Sequence, residues 1–256
     1  MPEVVANGIR LYYEEHGEGA PILGIHGSGS SSIVLWAGAV EPLARLGRLI
    51  LYDRRGCGRS ERPEPFLRTT REQEAEDAAA LLGELDAVPA VVIGRSYGGD
   101  VALELARRHP AHVKAIVGLE PGLLHLDPGA KRFEDELNAR LRAAEPERVG
   151  ETLIEAALGP GGWDALPAEA RALFTANGPA ILAELEGLNA DLDDAALSAI
   201  EQPTLLVSAA ESPEPLRRVA ARLASLLPNV EEARVEGGHL IDPAGPAVLR
   251  FVDRVA

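Results

Sequence analysis

The amino-acid sequence predicts an α/β fold: a mostly parallel eight-stranded sheet flanked by helices, with a helical insertion. Three observations support this prediction. Short apolar runs alternate with amphipathic segments of helical periodicity, as in parallel sheets that are covered on both faces. An Asn-Gly pair near the N-terminus predicts an antiparallel hairpin. The alternation stops between residues 121 and 202, where the composition is helical throughout.

Eight runs are predicted to be strands. The first two flank Asn7-Gly8 in VVANGIRLYYEE, and they form the hairpin because this dipeptide favours a two-residue turn. The other six are short and mostly apolar, as expected of strands buried in a sheet. They read, in chain order, PILGI, RLILYD, AVVIG, HVKAIVGLE, PTLLVSAA and VEEARVEG.

Helices are predicted between these strands. Residues 33–46 have helical composition, and residues 70–86 combine early acids with leucines spaced for one face. The segment GGDVALELARRH stops before Pro110, because proline does not continue a helix. Two further helices, PEPLRRVAARLASLL and AGPAVLRFVDRVA, lie near the C-terminus.

The segment 121–202 is expected to be a helical cap or lid. It is rich in Ala, Leu, Glu and Arg and is interrupted by GPGGW and NGP. Ligands of open parallel sheets bind at the carboxyl ends of the strands, so an insertion at that end would cover them. Residues 1–120 and 203–256 then form the α/β core.

Charge and cysteine content exclude several classes of function. The 256 residues carry a formal net charge of −15, which opposes binding to nucleic acid phosphates and to anionic membranes. Cys57 is the only cysteine, so an intrachain disulfide and a cysteine-based metal cluster are excluded. The N-terminus does not resemble a secretory signal, and no apolar run approaches ~20 residues. We expect a cytoplasmic protein, with a homodimer left open.

The stretch VVIGRSYGG, residues 91–99, predicts a nucleophilic serine. Gly94 and Gly98 flank Ser96 in the pattern G-x-S-x-G, between a predicted strand and a predicted helix. That context is required for the sharp turn that raises a serine hydroxyl above a sheet. A plain tight turn is the alternative, and partner residues elsewhere in the chain decide between the two.

His239 is the candidate general base. It lies in EGGHLID, after the last predicted strand and before the last helix. A glycine-flanked loop at this place brings an imidazole over a serine at the sheet edge. A surface histidine is the alternative.

The run His26-Gly27-Ser28-Gly29 predicts part of an oxyanion hole. Ester cleavage needs two donors aimed at the oxygen that becomes negative. One is the backbone N–H of Tyr97, and the other comes from Gly27 or Ser28, with Ser28 as the first choice. A phosphate-binding loop is rejected because its lysine is missing.

Four motifs resemble those of the α/β-hydrolase superfamily, and they occur in the order typical of that family. The resemblance extends over essentially the whole chain. The motifs are HGSG at 26–29, DRRGCGRS at 53–60, GRSYGG at 94–99 and GGH at 237–239. The resemblance implies the α/β-hydrolase fold and a serine esterase or lactonase without a cofactor. It implies a structural role for the DRRGCGRS loop, and no catalytic role is expected for Cys57.

The acid that pairs with His239 is expected to be a glutamate. Glu120 closes the apolar strand AIVGL, where a buried carboxylate needs a partner. Glu211 follows the next strand, but it precedes a predicted helix start, where a negative charge has a simpler explanation. The zearalenone lactonases, a subgroup of the family, carry this glutamate at the place of Glu120, and their lid is similar to GGWDALPAEARALF. Glu120 is therefore the first choice and Glu211 the second.

The sequence thus predicts a serine hydrolase that cleaves a carboxylic ester or lactone through an acyl-enzyme. Other reactions on the same fold stay open, namely thioester, peptide or carbon–carbon bond hydrolysis, perhydrolysis and lyase chemistry. A non-catalytic receptor for a small molecule is an alternative of a different class. The predicted substrate contacts are Trp36, Arg95, Leu123 and Trp163, with Leu124, Phe133 and Phe174 as further lid candidates.

Overall fold

A computed structural model describes residues 2–256; Met1, the first residue of the predicted core, lies outside this range. Within it, one sheet contains eight strands in the order β1-β2-β4-β3-β5-β6-β7-β8. The strands are β1 (Glu3–Ala6), β2 (Ile9–His16), β3 (Pro21–Ile25), β4 (Arg48–Tyr52), β5 (Ala90–Arg95), β6 (Val113–Leu119), β7 (Thr204–Ala209) and β8 (Val230–Val235). This confirms the predicted fold class.

The sheet is antiparallel at one edge and parallel elsewhere. Strands β1 and β2 form the predicted hairpin, with Asn7 and Gly8 at φ 48° and 77°, the left-handed conformations that an Asn-Gly turn supplies. Strand β2 is also antiparallel to β4, and from β4 to β8 every pairing is parallel. The carboxyl ends of β3, β5, β6 and β7 therefore lie at one edge of the sheet, and the loops that follow them meet there.

Helices cover both faces of the sheet. The helices outside the insertion are α1 (Ser32–Leu35), α2 (Val40–Ala44), α3 (Arg71–Glu84), α4 (Tyr97–Arg108), α11 (Glu214–Leu226) and α12 (Pro246–Val255). Strand residues alternate between two apolar clusters: Val92 packs on the side of α3 and α4, whereas Val91 and Ile93 pack on the side of α12. One prediction needs correction, because residues 33–46 form two short α-helices joined by a 3₁₀ turn at Ala37–Ala39.

The insertion between β6 and β7 is helical. It contains α5 (Pro128–Ala143), α6 (Val149–Leu158), α7 (Gly162–Ala165), α8 (Ala168–Ala176), α9 (Gly178–Gly187) and α10 (Asp194–Ser198). Among residues 2–256, no helix combines the length and the apolar character needed to span a membrane.

Buried polar contacts attach the insertion to the rest of the molecule. Asn177 Nδ2 donates to the backbone oxygens of Gly29 and Ser30 at 3.1 and 3.2 Å. Arg54, which follows β4, donates through Nη2 to Glu184 Oε1 of α9 at 2.6 Å, and both side chains are at most 5% exposed. The insertion is thus joined to the core by hydrogen bonds and by a buried ion pair as well as by apolar packing.

Candidate active site

Ser96 lies in a strained turn between β5 and α4. Its φ is 53° and its ψ is −127°, which is unfavourable for any residue with a side chain. The flanking glycines permit this turn: a Cβ on Gly94 would lie 2.2 Å from the Gly98 oxygen, and a Cβ on Gly98 would lie 2.4 Å from the His26 oxygen. Such a turn is kept only where the surrounding structure holds it, and here it exposes the Ser96 hydroxyl at the edge where the loops meet.

Glu120 and His239 form a buried pair beside this turn. Glu120 follows β6 directly, at φ 46°, and is 0% exposed; His239 lies in the loop after β8 and is 5% exposed. His239 Nδ1 lies 2.8 Å from Glu120 Oε2. Because the carboxylate accepts a hydrogen bond from Nδ1–H, the proton of the neutral imidazole stays on Nδ1, and Nε2 is free to accept a proton.

Two further donors fix the Glu120 carboxylate. The Ala209 N–H donates to Oε1 at 2.8 Å, and the Ser212 hydroxyl donates to Oε2 at 2.6 Å. Burial raises the pKa of Glu120, but the hydrogen bonds from His239, Ala209 and Ser212 and the charge of His239 outweigh burial and bring the pKa below its ordinary value. Glu120 is therefore anionic and oriented toward His239.

Glu211, the second candidate for the acid, makes no hydrogen bond or ion pair with His239 within the described residues. Its side chain is exposed, and only its backbone N–H makes a contact of note, donating to the Gly237 oxygen at 2.9 Å. The structure thus brings Glu120 and not Glu211 to the imidazole.

The HGSG loop lies directly against Ser96. A Cβ placed on Gly27 would be 3.2 Å from Ser96 Cβ, so a side chain at this position would crowd the serine. Ser28 and Tyr97 line the same cavity as Ser96 and His239. Tyr97 is also the first residue of α4, where the helix dipole favours a negative charge. Ser28 and Tyr97 therefore border the same space as Ser96.

His26 and Arg54 hold this loop in position. His26 Nε2 accepts from the Arg54 N–H at 2.9 Å while Nδ1 lies 2.8 Å from the Gly27 oxygen, which corresponds to a neutral ring with its proton on Nδ1. Burial, followed by the charge of Arg54, lowers the pKa of His26 well below its ordinary value. The Arg54 guanidinium donates to the His26 and Gly27 oxygens, each at 3.0 Å. The side chains of His26 and Arg54 therefore have a structural role, because they hold the loop next to Ser96 in place.

Two cavities meet at Ser96. The larger measures about 760 Å³ and the smaller about 490 Å³, counting space that opens to solvent. Ser28, Ser96 and His239 line both. The apolar wall of the larger cavity comes mainly from the insertion, through Phe133, Leu137, Leu141, Leu153, Ile181 and Leu185. A substrate held at Ser96 could thus extend one arm into each cavity. No hydrogen bond joins Ser96 to His239 within the described range, and such contacts often tighten only when substrate is bound.

The predicted substrate contacts are in part corrected. Trp36 is 1% exposed and belongs to the same core cluster as Leu51, and Leu123 is fully buried in the core as well. Trp163 packs inside the insertion, near Phe174. None of Trp36, Leu123 and Trp163 lines either cavity at Ser96, because each fills an apolar contact between elements. Leu124 and Phe133 line the larger cavity, and Phe174 lines the smaller one.

Arg95, the remaining predicted contact, lines the smaller cavity but is used internally. Its Nη2 donates to the Ile241 oxygen at 2.5 Å, and its guanidinium carbon lies 5.6 Å from the centre of the Trp36 ring. Burial lowers the pKa of Arg95 to about 10. The geometry favours a role in anchoring the loop that carries His239, since Ile241 is two residues beyond it.

Sequence reasoning missed Ser212, Arg54 and Glu184. Ser212 meets Glu120 from 92 residues away, and Glu184 meets Arg54 from 130 residues away, so no local pattern pairs them. The sequence offers one signal for a role of Arg54, namely that this arginine directly follows Asp53 in the DRRGCGRS loop, at the end of an apolar strand.

Two proteins of known sequence are similar to this chain. The 2-hydroxymuconate semialdehyde hydrolase of Pseudomonas sp. (strain CF600) is 37% identical over 118 residues, or 45% of this chain and 41% of that protein, so the match spans about two fifths of the relative's length. The putative carbamate hydrolase RutD of Azorhizobium caulinodans is 30% identical over 259 residues, covering 97% of this chain and 95% of that protein.

A solved structure and a family model cover the chain more fully. The structure of Est816, described as an N-acyl homoserine lactone degrading enzyme, aligns with a TM-score of 0.78 at 26% identity and covers 99% of each chain. A family model described as alpha/beta hydrolase fold matches residues 20–241, which include the serine turn, Glu120 and His239. With the strand order and the loops that meet at Ser96, this match shows that the chain belongs to the α/β-hydrolase family.

Proposed function

We propose that this protein is a serine hydrolase that cleaves a carboxylic ester or lactone through an acyl-enzyme. The observation that carries the proposal is that Ser96 and His239 line one cavity together with Ser28 and Tyr97, while the buried Glu120 carboxylate lies 2.8 Å from His239 Nδ1. These are the parts that acyl transfer requires: a nucleophile, a base, a group that orients the base, and oxyanion donors.

In the first half of the proposed reaction, Ser96 Oγ attacks the carbonyl carbon and His239 Nε2 takes the hydroxyl proton. The N–H groups of Tyr97 and Ser28 donate to the oxygen that becomes negative. Glu120 stabilises the imidazolium because its carboxylate accepts from Nδ1 at 2.8 Å. His239 then gives the proton to the leaving alkoxide, and the acyl group remains on Ser96.

In the second half, water attacks the acyl carbon while His239 takes its proton, and the acid is released as Ser96 recovers its hydrogen. We propose that residues 121–202 act as the lid over this site, because α5, α6 and α9 supply most of the apolar wall around the larger cavity. Such a wall excludes water from the acyl chain and selects substrates by shape.

Two likenesses bear on the kind of bond that Ser96 would attack. A lactone is supported by the likeness to Est816 over the full chain at 26% identity. A carbamate would use the same acyl chemistry, and the likeness to RutD favours it as a second candidate. The resemblance to zearalenone lactonases, the cytoplasmic location and the homodimer remain predictions.

The test combines labelling with turnover. A p-nitrophenyl alkylphosphonate should add one phosphonyl group to the wild-type protein, seen by intact mass, and none to Ser96→Ala. Ser30→Ala is the control, since Ser30 lines the smaller cavity but has no role in the proposed reaction. A panel of p-nitrophenyl esters, lactones and carbamates is followed by pH-stat. A receptor would bind without turnover, and label on Ser96→Ala or full activity of that variant would contradict the proposal.

A further inference from the structure

The larger cavity at Ser96 has an acidic wall. Asp100, Glu134 and Glu184 all line it, and these residues are 2%, 8% and 4% exposed. Within residues 2–256, no lysine or arginine is part of its lining, and its other residues are mostly apolar. Carboxylates in such a place are uncommon, because burial of a charge costs free energy unless donors surround it.

Two polar atoms on this wall lack a partner. Glu184 Oε2 and Tyr97 Oη are buried and make no hydrogen bond to any residue of the described range. The other carboxylate oxygen of Glu184 accepts from Arg54 at 2.6 Å, and the Arg54 guanidinium carbon lies 4.9 Å from the centre of the Tyr97 ring. One guanidinium therefore contacts both side chains.

Arg54 itself does not supply the missing donor. The guanidinium donates to Glu74, Glu184 and the backbone oxygens of His26 and Gly27. Asp100, on the same wall, accepts from the Gly122 N–H through Oδ1 at 2.6 Å, and its Oδ2 accepts from no residue of the described chain. Glu184, Tyr97 and Asp100 thus all line one cavity while an oxygen atom of each has no protein partner, which is the pattern that a site built for a donor ligand leaves.

We propose that this wall is a subsite for a hydrogen-bond donor on the substrate arm that enters the larger cavity. The substrate class is an ester or lactone with a hydroxyl or ammonium group on an otherwise apolar chain, donating to Glu184 Oε2, Tyr97 Oη and Asp100. An arm that ends in a carboxylate is opposed by the same acids. This inference rests on the proposed function, since it names the ester that Ser96 would attack.

The test compares matched p-nitrophenyl esters of butanoic, hexanoic and octanoic acid, each with a terminal methyl, hydroxyl, ammonium or carboxylate group. At the chain length that reaches the wall, kcat/KM for the hydroxyl or ammonium ester should exceed that of the plain ester by about tenfold or more. The carboxylate ester should be the poorest. The hydroxyl and ammonium esters together tell whether the wall takes a neutral or a charged donor.

Two variants assign the preference to the wall. Glu184→Gln and Tyr97→Phe should each bring the ratio between donor-bearing and plain esters toward one. Tyr97→Phe removes only an oxygen that has no partner in the fold, which guards against a loss caused by unfolding. Glu186→Gln is the matched control: it lies on the same helix but is about half exposed and pairs with Arg142, so the ratio should stay as in wild type.

A binding measurement separates this inference from the proposed function. Methyl esters with and without the terminal donor are titrated into Ser96→Ala by calorimetry, where no turnover is needed. The donor-bearing ester should bind about tenfold tighter, even if the wild type hydrolyses none of the panel. Equal affinity, or a ratio that neither Glu184→Gln nor Tyr97→Phe changes, would overturn the subsite.

Discussion

Replacement of Glu120 by glutamine should abolish most of the activity by moving one proton. The Ala209 N–H donates to Oε1, so the glutamine oxygen must stay there, because an NH₂ group would oppose that donor. The NH₂ then takes the place of Oε2, facing Ser212 Oγ and His239 Nδ1. Nδ1 has to accept, so the ring proton moves to Nε2, which is the atom that must receive the Ser96 proton.

A fixed wrong tautomer of this kind costs about 10⁴-fold in kcat, or about 5 kcal/mol of transition-state stabilisation. The assay is kcat for the best ester of the panel, with active sites counted by phosphonate labelling and folding checked by chemical denaturation. Glu211→Gln is the matched control, and it should stay within about twofold of wild type because Glu211 is exposed. A small loss in Glu120→Gln, or a large loss in Glu211→Gln alone, would refute this reasoning.

Three further predictions follow from the same contacts. Ser212→Ala removes one donor to the Glu120 carboxylate and should lower kcat about tenfold at neutral pH, measured as a pH–rate profile; an unchanged profile would contradict a positioning role. Gly98→Ala should destabilise the fold by about 1–3 kcal/mol because its Cβ would lie 2.4 Å from the His26 oxygen. Gly83→Ala places its Cβ in open space on α3 and should instead raise the free energy of unfolding by about 0.5–1 kcal/mol. Urea denaturation of both variants measures the two effects. The pKa of Glu120 is lowered from 4.5, so its ionised form stabilises the fold fully above pH 4.5, and this contribution is lost as the pH falls through the lowered pKa. The unfolding free energies of wild type and Glu120→Gln should therefore converge in acid. Parallel plots of unfolding free energy against pH for the two proteins would argue against the shift.

Features set by neighbours in the chain could be predicted from the sequence. The turn at Asn7-Gly8 and the strain at Ser96 follow from glycines within two residues, and the alternation of apolar runs with helical segments predicts the parallel sheet. The choice of Glu120 over Glu211 also came from a local argument, namely a carboxylate that closes a buried strand. In the structure, the partner of the Glu120 carboxylate is His239, which lies 119 residues away in the chain.

Features set by distant partners could not be predicted. Trp36 is predicted to contact the substrate because it follows the HGSG loop, but a large apolar side chain between α1 and the 3₁₀ turn packs equally well into the core, and that is where it lies. Arg54 and Glu184 belong to segments with no common pattern, so their pairing depends on how the insertion folds back. The broken helix at 33–46 has a local cause by contrast, since Gly38 and Pro42 both weaken a helix interior and Pro42 has no N–H for an intrahelical hydrogen bond.

The ion pair between Arg54 and Glu184 limits how this enzyme could be recombined with its relatives. A chimaera that takes residues 121–202 from another family member, without a carboxylate at the place of Glu184, would leave Arg54 and Glu74 as the remnant of a buried three-charge cluster. The remaining Arg54–Glu74 pair is still neutral, but the buried Arg54 Nη2 loses its carboxylate acceptor, which costs about 1–3 kcal/mol, a noticeable share of the stability of an ordinary domain. Substrate scope in this lineage would then change by single substitutions on α5, α6 and α9 more readily than by exchange of the whole insertion.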